Sequence, residues 1–552
     1  MKVSMLFALL MWAMITPASA QQVKAQRDVE RPKLVVGIVV DQMRWDYLYR
    51  YYDRYSDNGF RRMLEEGFTN ENAYIDYVPT VTAIGHATTY TGSVPAIHGI
   101  AGNDFIIQEN GKRMYCTQDD SVNSVGTTGT AGKMSPKNLL TSTVTDELKL
   151  ATNFRSKVIG VAIKDRGSII PAGHFADAAY WFEGRTGKFI TSDFYMKELP
   201  GWVNAFNDRK LPEEYLKKDW TTLYPIETYK QSTKDDNLYE GKLGKSENAR
   251  FPVRTSALLA GGGNAGLVSS TPFGNTLTLE MAKAALINEK MGKNAENVPD
   301  FLAVSLSSPD YIGHQYGVNS IKVEDNYLRL DKDLGDFFSF LDKEVGKGNY
   351  TVFMTADHGA AHNPQFFIDS RGMGGYFNNK QMMDTLNHEL KRLYNFDNLV
   401  ISLSNYQIHL NNDLIRKTGL DERAIRQTIV ERVKKIDNIL FVVDMDNIGA
   451  AAIPELLRER IINGYNHKRS GAITFVLDPQ MYSASPRATG TTHGSAFAYD
   501  SHVPLVWFGW GIKKGRSVQR VNMTDIAPTV AALLRIQEPN GNIGEPIGDV
   551  IK

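Results

Sequence analysis

The sequence has little cysteine, no excess charge of either sign and few long apolar segments. Cys116 is the single cysteine among 552 residues, so no intrachain disulfide can form and stability depends on packing or bound metal. Basic and acidic residues number 62 each, which gives no indication of a nucleic-acid or anionic-membrane surface. We find no internal repeat and no low-complexity tract. These absences exclude disordered, fibrous and disulfide-scaffold chains and leave an ordinary globular protein.

The first twenty residues differ from the rest of the chain. Lys2 gives a positive start, residues 5–15 are apolar, and Ala18, Ser19 and Ala20 offer small residues before Gln21. This pattern predicts a secretory signal peptide over residues 1–20. The alternative is a membrane anchor, but the apolar run is shorter than the roughly 18 residues that a span requires. Export with one cysteine favours a bacterial periplasm, and we expect no stable membrane insertion after cleavage.

Several apolar runs predict strands that are buried on both faces. They are Leu34–Val40, Lys157–Ile163, Phe301–Leu306, Tyr350–Thr355 and Val503–Gly509. Such runs are typical of parallel sheets covered by helices. Helical patterns lie between them, most clearly at Thr276–Met291, where Gly292 is placed to close the C-terminus. We predict an α/β fold with a doubly wound, mostly parallel sheet and helices on both faces.

Two segments interrupt this alternation. Residues 173–270 contain a predicted hairpin, Ala179–Glu183 with Phe189–Phe194, followed by a polar, Tyr-rich and Lys-rich stretch, and we interpret them as a decorated insertion. Residues 371–485 contain short predicted strands at Ile439–Val443 and Ala472–Leu477 and a helix at Asp421–Lys435, which indicate a small inserted α/β cap. The predicted core therefore comprises residues 31–370 and 486–552.

Charged side chains follow four of the predicted strands. They are Asp41, then Lys164 with Arg166, then Asp310, and finally Asp357 with His358. Because ligands bind outside the carboxyl ends of strands in open α/β sheets, we expect these groups to meet on one rim. Each alone is more typical of a turn or a helix cap than of a ligand. Together they indicate a metal site beside an anion site.

Histidines complete the predicted metal site. Asp310 and His314 are four residues apart and would share one face of a helical turn. His493 lies in the small-residue loop Gly490–Ser495, where the backbone can approach closely. Imidazole and carboxylate together suit Zn²⁺ better than Mg²⁺ or Ca²⁺, which favour shells of oxygen alone.

The segment Val78–Gly92 predicts a helix N-terminus, with Pro79, Thr80 and Thr82 before a helical stretch. Free N–H groups at such an end favour bound anions. On this segment alone Thr82 is more simply a helix cap. A nucleophilic role for it depends on the neighbouring metal and cationic groups.

The order of these motifs resembles the alkaline phosphatase superfamily. The resemblance is strongest to its nucleotide pyrophosphatase/phosphodiesterase branch and to the threonine-nucleophile, PafA-type alkaline phosphatases of bacteria. The matching stretches are Val40–Arg44, Thr82 with His86, His98–Asn103, Lys164–Arg166, Pro309–His314, Ala356–Gly359 and Thr492–Gly494. They span nearly the whole mature chain.

This resemblance implies an alkaline-phosphatase-like core with two Zn²⁺ ions per subunit. It assigns Asp310, His314 and His493 to one zinc, and Asp41, Asp357 and His358 to the other. Thr82 would contact the second zinc and attack phosphorus to give a phosphothreonine. Asn103, Lys164 and Arg166 would bind the phosphoryl oxygens, and the last two mark the monoesterase type. We therefore predict an exported alkaline phosphatase that acts on small phosphate monoesters.

Two alternatives stay open. A phosphodiesterase or nucleotide pyrophosphatase would use the same metals and Thr82, but a diester offers one fewer charged oxygen to Lys164 and Arg166. A catalytically dead periplasmic protein that binds phosphate esters or metal would lack a ligand or the nucleophile, and neither is missing. We interpret His86 and His98 as hydrogen-bonding supports and give His362 no catalytic role. The sequence leaves the oligomeric state and the physiological ester open.

Overall fold

A computed structural model describes residues 30–552, so the predicted signal peptide lies outside the described residues. The strands are β1 Leu34–Val40, β2 Phe68–Tyr74, β3 Asp104–Ile106, β4 Arg113–Tyr115, β5 Ser124–Val125, β6 Val158–Ala162, β7 Ala178–Glu183, β8 Lys188–Ser192, β9 Asp300–Leu306, β10 Tyr350–Thr355, β11 Gly375–Phe377, β12 Val400–Ser404, β13 Gln407–Leu410, β14 Ile439–Asp444, β15 Ile473–Leu477, β16 Met481–Ser483, β17 His502–Val503, β18 Leu505–Gly509 and β19 Gly515–Asn522. The α-helices are α1 Tyr47–Arg50, α2 Phe60–Glu66, α3 Thr82–Thr91, α4 Pro95–His98, α5 Val144–Ala151, α6 Asp165–Ala172, α7 Gly201–Asp208, α8 Leu211–Leu216, α9 Thr255–Ala260, α10 Phe273–Asn288, α11 Ser308–Tyr316, α12 Ile321–Leu341, α13 Pro364–Asp369, α14 Asn379–Tyr394, α15 Asn412–Thr418, α16 Glu422–Val433, α17 Glu455–Gly464, α18 Ala498–Ser501 and α19 Ile526–Leu534.

One central sheet organises the fold. Its strand order is β17, β2, β18, β10, β1, β9, β6, β7, β8, β5, and β19 pairs with β2 from outside this path. The five middle strands β10, β1, β9, β6 and β7 run parallel to one another. Four of them are the predicted apolar runs, and every residue of β1, β9 and β10 is buried. The predicted α/β class with a mostly parallel centre is therefore confirmed.

The register of the middle strands sets where the chain leaves the sheet. Val39 of β1 lies opposite Thr355 of β10, and Val40 lies opposite Leu306 of β9. The three strands therefore end at the same level, and the residues after them emerge along one edge.

Helices cover both faces of this sheet. Helix α6 packs on β6, β7 and β9 together with α3, whereas α10 packs on β6 and β9 together with α12. None of the described helices is long and apolar enough to cross a membrane.

Two element predictions need correction. The run Val503–Gly509 is two strands, β17 and β18, separated by Pro504, which has no N–H to donate to a ladder. Strand β18 also runs antiparallel to β10. Burial on both faces indicates a place inside a sheet but carries no information on strand direction. The helix predicted at Thr276–Met291 begins at Phe273 and ends at Asn288, and the Gly292 N–H instead donates to the Asp300 carboxylate.

The two interrupting segments have different structures. Strands β12, β13, β15 and β14 form a separate antiparallel sheet, on which α14 and α16 pack over their own apolar cluster. The predicted hairpin at residues 178–192 joins the central sheet as β7 and β8. The chain after it is attached to α12 because Asp325 accepts hydrogen bonds from Trp220 Nε1 at 2.7 Å and Leu223 N at 2.6 Å.

Candidate active site

The ends of the middle strands bring the predicted metal-binding residues together. Asp41 follows β1, Asp357 and His358 follow β10, and Asp310 and His314 lie on α11 just after β9. His493 reaches the same place from the loop before α18. Within the described residues, two groups have ligand atoms close enough to hold a metal ion: Asp310 with His314 and His493, and Asp41 with Asp310 and His358.

Three histidines share one hydrogen-bonding arrangement. The backbone carbonyls that face their Nδ1 atoms are Thr491 O for His314 at 2.7 Å, Gly359 O for His358 at 2.9 Å and Thr80 O for His493 at 2.8 Å. Because a carbonyl can only accept, each Nδ1 carries a proton and donates it. This fixes the tautomer in which Nε2 offers a lone pair, which is the form that binds a metal.

The Nε2 atoms point at carboxylates rather than at donors. Asp310 Oδ1 lies 3.1 Å from His314 Nε2 and 3.6 Å from His493 Nε2. His358 Nε2 lies 3.5 Å from Asp41 Oδ1 and 3.6 Å from Asp357 Oδ2. Asp310 thus stands between the two sets, and Asp357 faces the second set with one of its two oxygens.

Unpartnered carboxylate oxygens show that these residues fit bound cations. Asp41 Oδ1 and Asp357 Oδ2 are buried and have no hydrogen-bond partner among the described residues. Burial, together with the charge of Asp41, raises the pKa of Asp357 well above its ordinary value. Burial also lowers the pKa of His358 to about 4, so its imidazole is neutral at physiological pH. Crowded carboxylates beside neutral imidazoles form a donor set for a divalent ion such as Zn²⁺.

Lys164 lies between the two carboxylate groups. Its Nζ donates to Asp41 Oδ2 and to Asp310 Oδ2, each at 2.6 Å. Burial alone would lower the pKa of Lys164, but Asp310 and Asp41 raise it above its ordinary value, so the side chain is a permanent cation. Arg166, two residues further along the chain in α6, lines the same cavity as Lys164.

Thr82 is the first residue of α3 and is not its cap. Val81 occupies the cap position, and its own side chain makes no capping hydrogen bond. The hydroxyl of Thr82 lies 3.4 Å from His358 Nε2, beside the second ligand set. Asn103 accepts a hydrogen bond from Ala83 N at 2.9 Å through Oδ1, which turns its NH₂ group away from that backbone group.

Gln42 was not singled out from the sequence, yet it connects both ligand sets. Its backbone N–H donates to Asp357 Oδ1 at 3.1 Å, and its Nε2 donates to Asp310 Oδ1 at 2.6 Å. The residue has φ +65°, which is uncommon for a non-glycine residue and turns the chain sharply after Asp41. In this left-handed conformation one residue donates to both carboxylates, and a sequence pattern gives no sign of it.

The other three histidines considered from the sequence lie outside the two ligand sets, and each hydrogen-bonds to a neighbouring group. His86 Nδ1 donates to Thr82 O at 2.9 Å, and its Nε2 lies 2.9 Å from Ser305 Oγ. His98 lies 3.4 Å from the Thr88 hydroxyl through Nε2. His362 contacts Asn319 and stacks on Phe366, outside both ligand sets.

Comparison with known proteins identifies the family. The model of the type I phosphodiesterase / nucleotide pyrophosphatase family matches residues 35–496. The chain belongs to this family. A relative from Myroides odoratus, named calcium-transporting ATPase, is 58% identical over 96% of this chain and 96% of its own. Alkaline phosphatase PafA of Elizabethkingia meningoseptica is 51% identical over 95% of each chain. The crystal structure of wild-type PafA has a TM-score of 0.92 and 50% identity, and the match covers 95% of this chain and 100% of that one. Within the phosphodiesterase family, the predicted resemblance to PafA-type alkaline phosphatases is therefore confirmed.

Proposed function

We propose that this chain is an exported alkaline phosphatase that binds two Zn²⁺ ions and hydrolyses small phosphate monoesters through a phosphothreonine on Thr82. The observation that carries this proposal is the cluster of three histidines with Nδ1 held by carbonyls and Nε2 facing buried carboxylates. Thr82 and two fixed cations border the same cluster. The names of PafA-type relatives support the same activity.

The ligand roles are those that the family resemblance implies, and the distances between side chains support them, with Asp310 close to the second set as well as to the first. Asp310, His314 and His493 would hold one ion, and Asp41, Asp357 and His358 would hold the other. Bound zinc supplies activation of a coordinated hydroxyl and neutralisation of phosphoryl charge. Gln42 would keep the carboxylates of both sets in place by donating to each of them.

Thr82 and water are the groups that attack phosphorus in the two steps of the proposed phosphoryl transfer. The Thr82 oxygen forms a bond to phosphorus, the bond to the ester oxygen breaks, and the alcohol leaves with a proton. Water then attacks the phosphothreonine and releases phosphate, which returns the Thr82 hydroxyl. Asn103 and the N-terminus of α3 donate hydrogen bonds to phosphoryl oxygens during both steps.

Lys164 and Arg166 favour a monoester over a diester. A monoester dianion has three non-bridging oxygens, and a diester has replaced one of them with an alkoxy group. Phosphoryl transfer depends mainly on positioning and positive charge, which a point-charge ammonium and a planar guanidinium supply. If Asp41 and Asp310 held divalent ions, their carboxylates would bind the Lys164 ammonium less strongly, and that cation could contact the substrate.

The test is a comparison of kcat/KM on the zinc-loaded enzyme for an aryl phosphate monoester and the matched methyl diester. Two charge-assisted contacts predict a monoester preference of at least about a hundredfold. A diester preference would support the phosphodiesterase alternative, and turnover of neither ester would support a binding protein. ATP belongs in the comparison as a third substrate, because one relative carries the name of an ATPase.

A further inference from the structure

A short hairpin connects two residues that border the candidate site. Strands β3 and β4 pair from Asp104 with Tyr115 to Ile106 with Arg113. Immediately outside this ladder, Cys116 N donates to Asn103 O at 2.9 Å. Asn103 and Tyr115 therefore lie together at the open end of the hairpin, away from its turn at residues 107–112, although twelve positions separate them in the chain.

Tyr115 contacts the functional group of Arg166. Arg166 Nη1 donates to Tyr115 Oη at 3.0 Å, and Tyr115 Oη donates its own proton to Asp165 Oδ1 at 2.8 Å. Thr117 donates to the other oxygen of Asp165. The phenol has one proton, which it donates in the hydrogen bond to the Asp165 carboxylate. The lone pairs of its oxygen are therefore left to accept from the Arg166 guanidinium.

Arg166 needs such an anchor because its side chain borders a cavity and has few contacts that fix its direction. The side chain borders a cavity of about 600 Å³, whose wall also includes Tyr115, Trp181 and Tyr311. Its Nε is buried and has no hydrogen-bond partner among the described residues. Asp165, the carboxylate beside it in sequence, is hydrogen-bonded by hairpin hydroxyls. The Tyr115 hydroxyl is thus the group that fixes the direction of the guanidinium.

We propose that Tyr115 is a positioning residue that aims Arg166 at the substrate's phosphoryl oxygen, and that the β3–β4 hairpin aligns Arg166 with Asn103. The inference rests on the proposed function, in which both residues bind phosphoryl oxygens. Loss of the Tyr115 hydroxyl should lower the rate of monoester hydrolysis more than that of diester hydrolysis. The reason is that only the monoester has a third charged oxygen for Lys164 and Arg166 to contact.

The experiment is a double-mutant cycle on the zinc-loaded enzyme. Tyr115→Phe, Arg166→Ala and the double variant are each measured with an aryl phosphate monoester and the matched methyl diester. We expect Tyr115→Phe to lower monoester kcat/KM about tenfold and diester kcat/KM less than about twofold, as for loss of one oriented hydrogen bond. In the Arg166→Ala background the same substitution should have no further effect on the monoester.

Controls separate positioning from folding. Tyr195→Phe removes another buried tyrosine hydroxyl, one that has no hydrogen-bond partner within residues 30–552, and should leave both rates unchanged. Thr117→Val should reproduce the selective monoester loss to a smaller degree, because it loosens Asp165. Equal losses for both esters, or a full loss in the Arg166→Ala background, would overturn the Tyr115 inference alone. An Arg166→Ala enzyme with the wild-type monoester rate would overturn the role of Arg166 and this inference with it, whereas the proposed function fails if the wild-type enzyme prefers the diester or turns over neither ester.

Discussion

At the scale of single residues, hydrogen bonds to the backbone determine the chemistry of the site. Three carbonyls fix the tautomers of His314, His358 and His493 before any ion binds. Most of the candidate ligand residues could be predicted because charged side chains follow buried strands. The roles of Gln42 and Tyr115 could not, since one depends on a left-handed backbone and the other on a hairpin that packs against a distant helix.

The main prediction for single residues concerns the two cations Lys164 and Arg166. Lys164→Ala/Arg166→Ala should lower monoester kcat/KM by at least about a hundredfold, because each charge-assisted bond contributes on the order of 1.5 to 3 kcal/mol. Diester kcat/KM should fall much less. Both rates are measured on preparations of equal zinc content, with exposed Lys188→Ala as the control. Equal losses for the two esters would show that the pair supports the metals or the fold in general.

A glycine beside the ligands gives a second residue-scale prediction. A Cβ on Gly313 would lie 1.9 Å from Gln42 Oε1 and would displace that amide from Asp310. Gly313→Ala should therefore weaken zinc binding by about 10- to 100-fold, as for other losses of a group that hydrogen-bonds to a metal ligand, while α11 itself remains helical. Zinc affinity is measured by competition with a chelator. Gly201→Ala is the matched control, because a Cβ there meets nothing within 4 Å. Unchanged affinity in Gly313→Ala would argue against the bridging role of Gln42.

At the scale of elements, the five apolar runs were predictable because a strand covered by helices on both faces must be apolar throughout. Their direction was not, as the antiparallel β18 shows, and neither was the break at Pro504. Of the separate sheet of β12 to β15, only β14 and β15 were predicted, as short strands. Its pairing depends on contacts between segments that lie far apart in the sequence.

Helix α5 offers a stability prediction at this scale. Thr143 Oγ1 accepts from Asp146 N at 3.0 Å, and Asp146 Oδ2 accepts from Thr143 N at 3.0 Å, which is a reciprocal N-terminal cap. Thr143→Ala should lower the free energy of unfolding by about 1 kcal/mol. Asp146→Ala should cost more, because the same carboxylate also accepts from His174 N at 2.7 Å and Phe175 N at 2.8 Å.

Denaturant unfolding of the zinc-loaded protein measures this effect, with exposed Thr130→Ala as the control. Monoester kcat/KM should stay at the wild-type value in Thr143→Ala, because α5 contributes no ligand. A midpoint equal to that of the wild type would show that the cap is not needed for α5.

At the scale of the whole molecule, separate parts of the chain converge on one centre. The core supplies the ligands, and the antiparallel sheet braces the β3–β4 hairpin, since Asn405 Nδ2 donates to Asp104 O at 3.0 Å. The Arg469 guanidinium also lies 4.8 Å from the centre of the Phe105 ring. The assignment of residues 371–485 as an inserted cap remains a prediction. These two contacts join that segment to the β3–β4 hairpin, which borders the candidate site.

Metal removal should affect activity and stability together. Chelation should abolish monoester turnover, and zinc should restore it where calcium does not, because three of the proposed ligands are imidazoles. The metal-free protein should also unfold at lower denaturant concentration, since buried Asp41, Asp310 and Asp357 then repel one another. Turnover and zinc content are followed through removal and reloading. Full activity in protein shown by elemental analysis to be free of metal would exclude the two-zinc proposal.

The most direct test of the account is identification of the residue that carries phosphate during turnover. The zinc-loaded enzyme is quenched in acid while it hydrolyses a labelled aryl phosphate monoester, and the phosphopeptide is sequenced by mass spectrometry. We predict phosphate on Thr82, no label in Thr82→Ala with a rate lower by several orders of magnitude, and retained labelling in Thr82→Ser. Thr80, whose hydroxyl donates to Ser495 O at 2.9 Å, should carry none, and Thr80→Ala should be mild. Phosphate on Thr80, or a Thr82→Ala enzyme with the wild-type rate, would contradict the account.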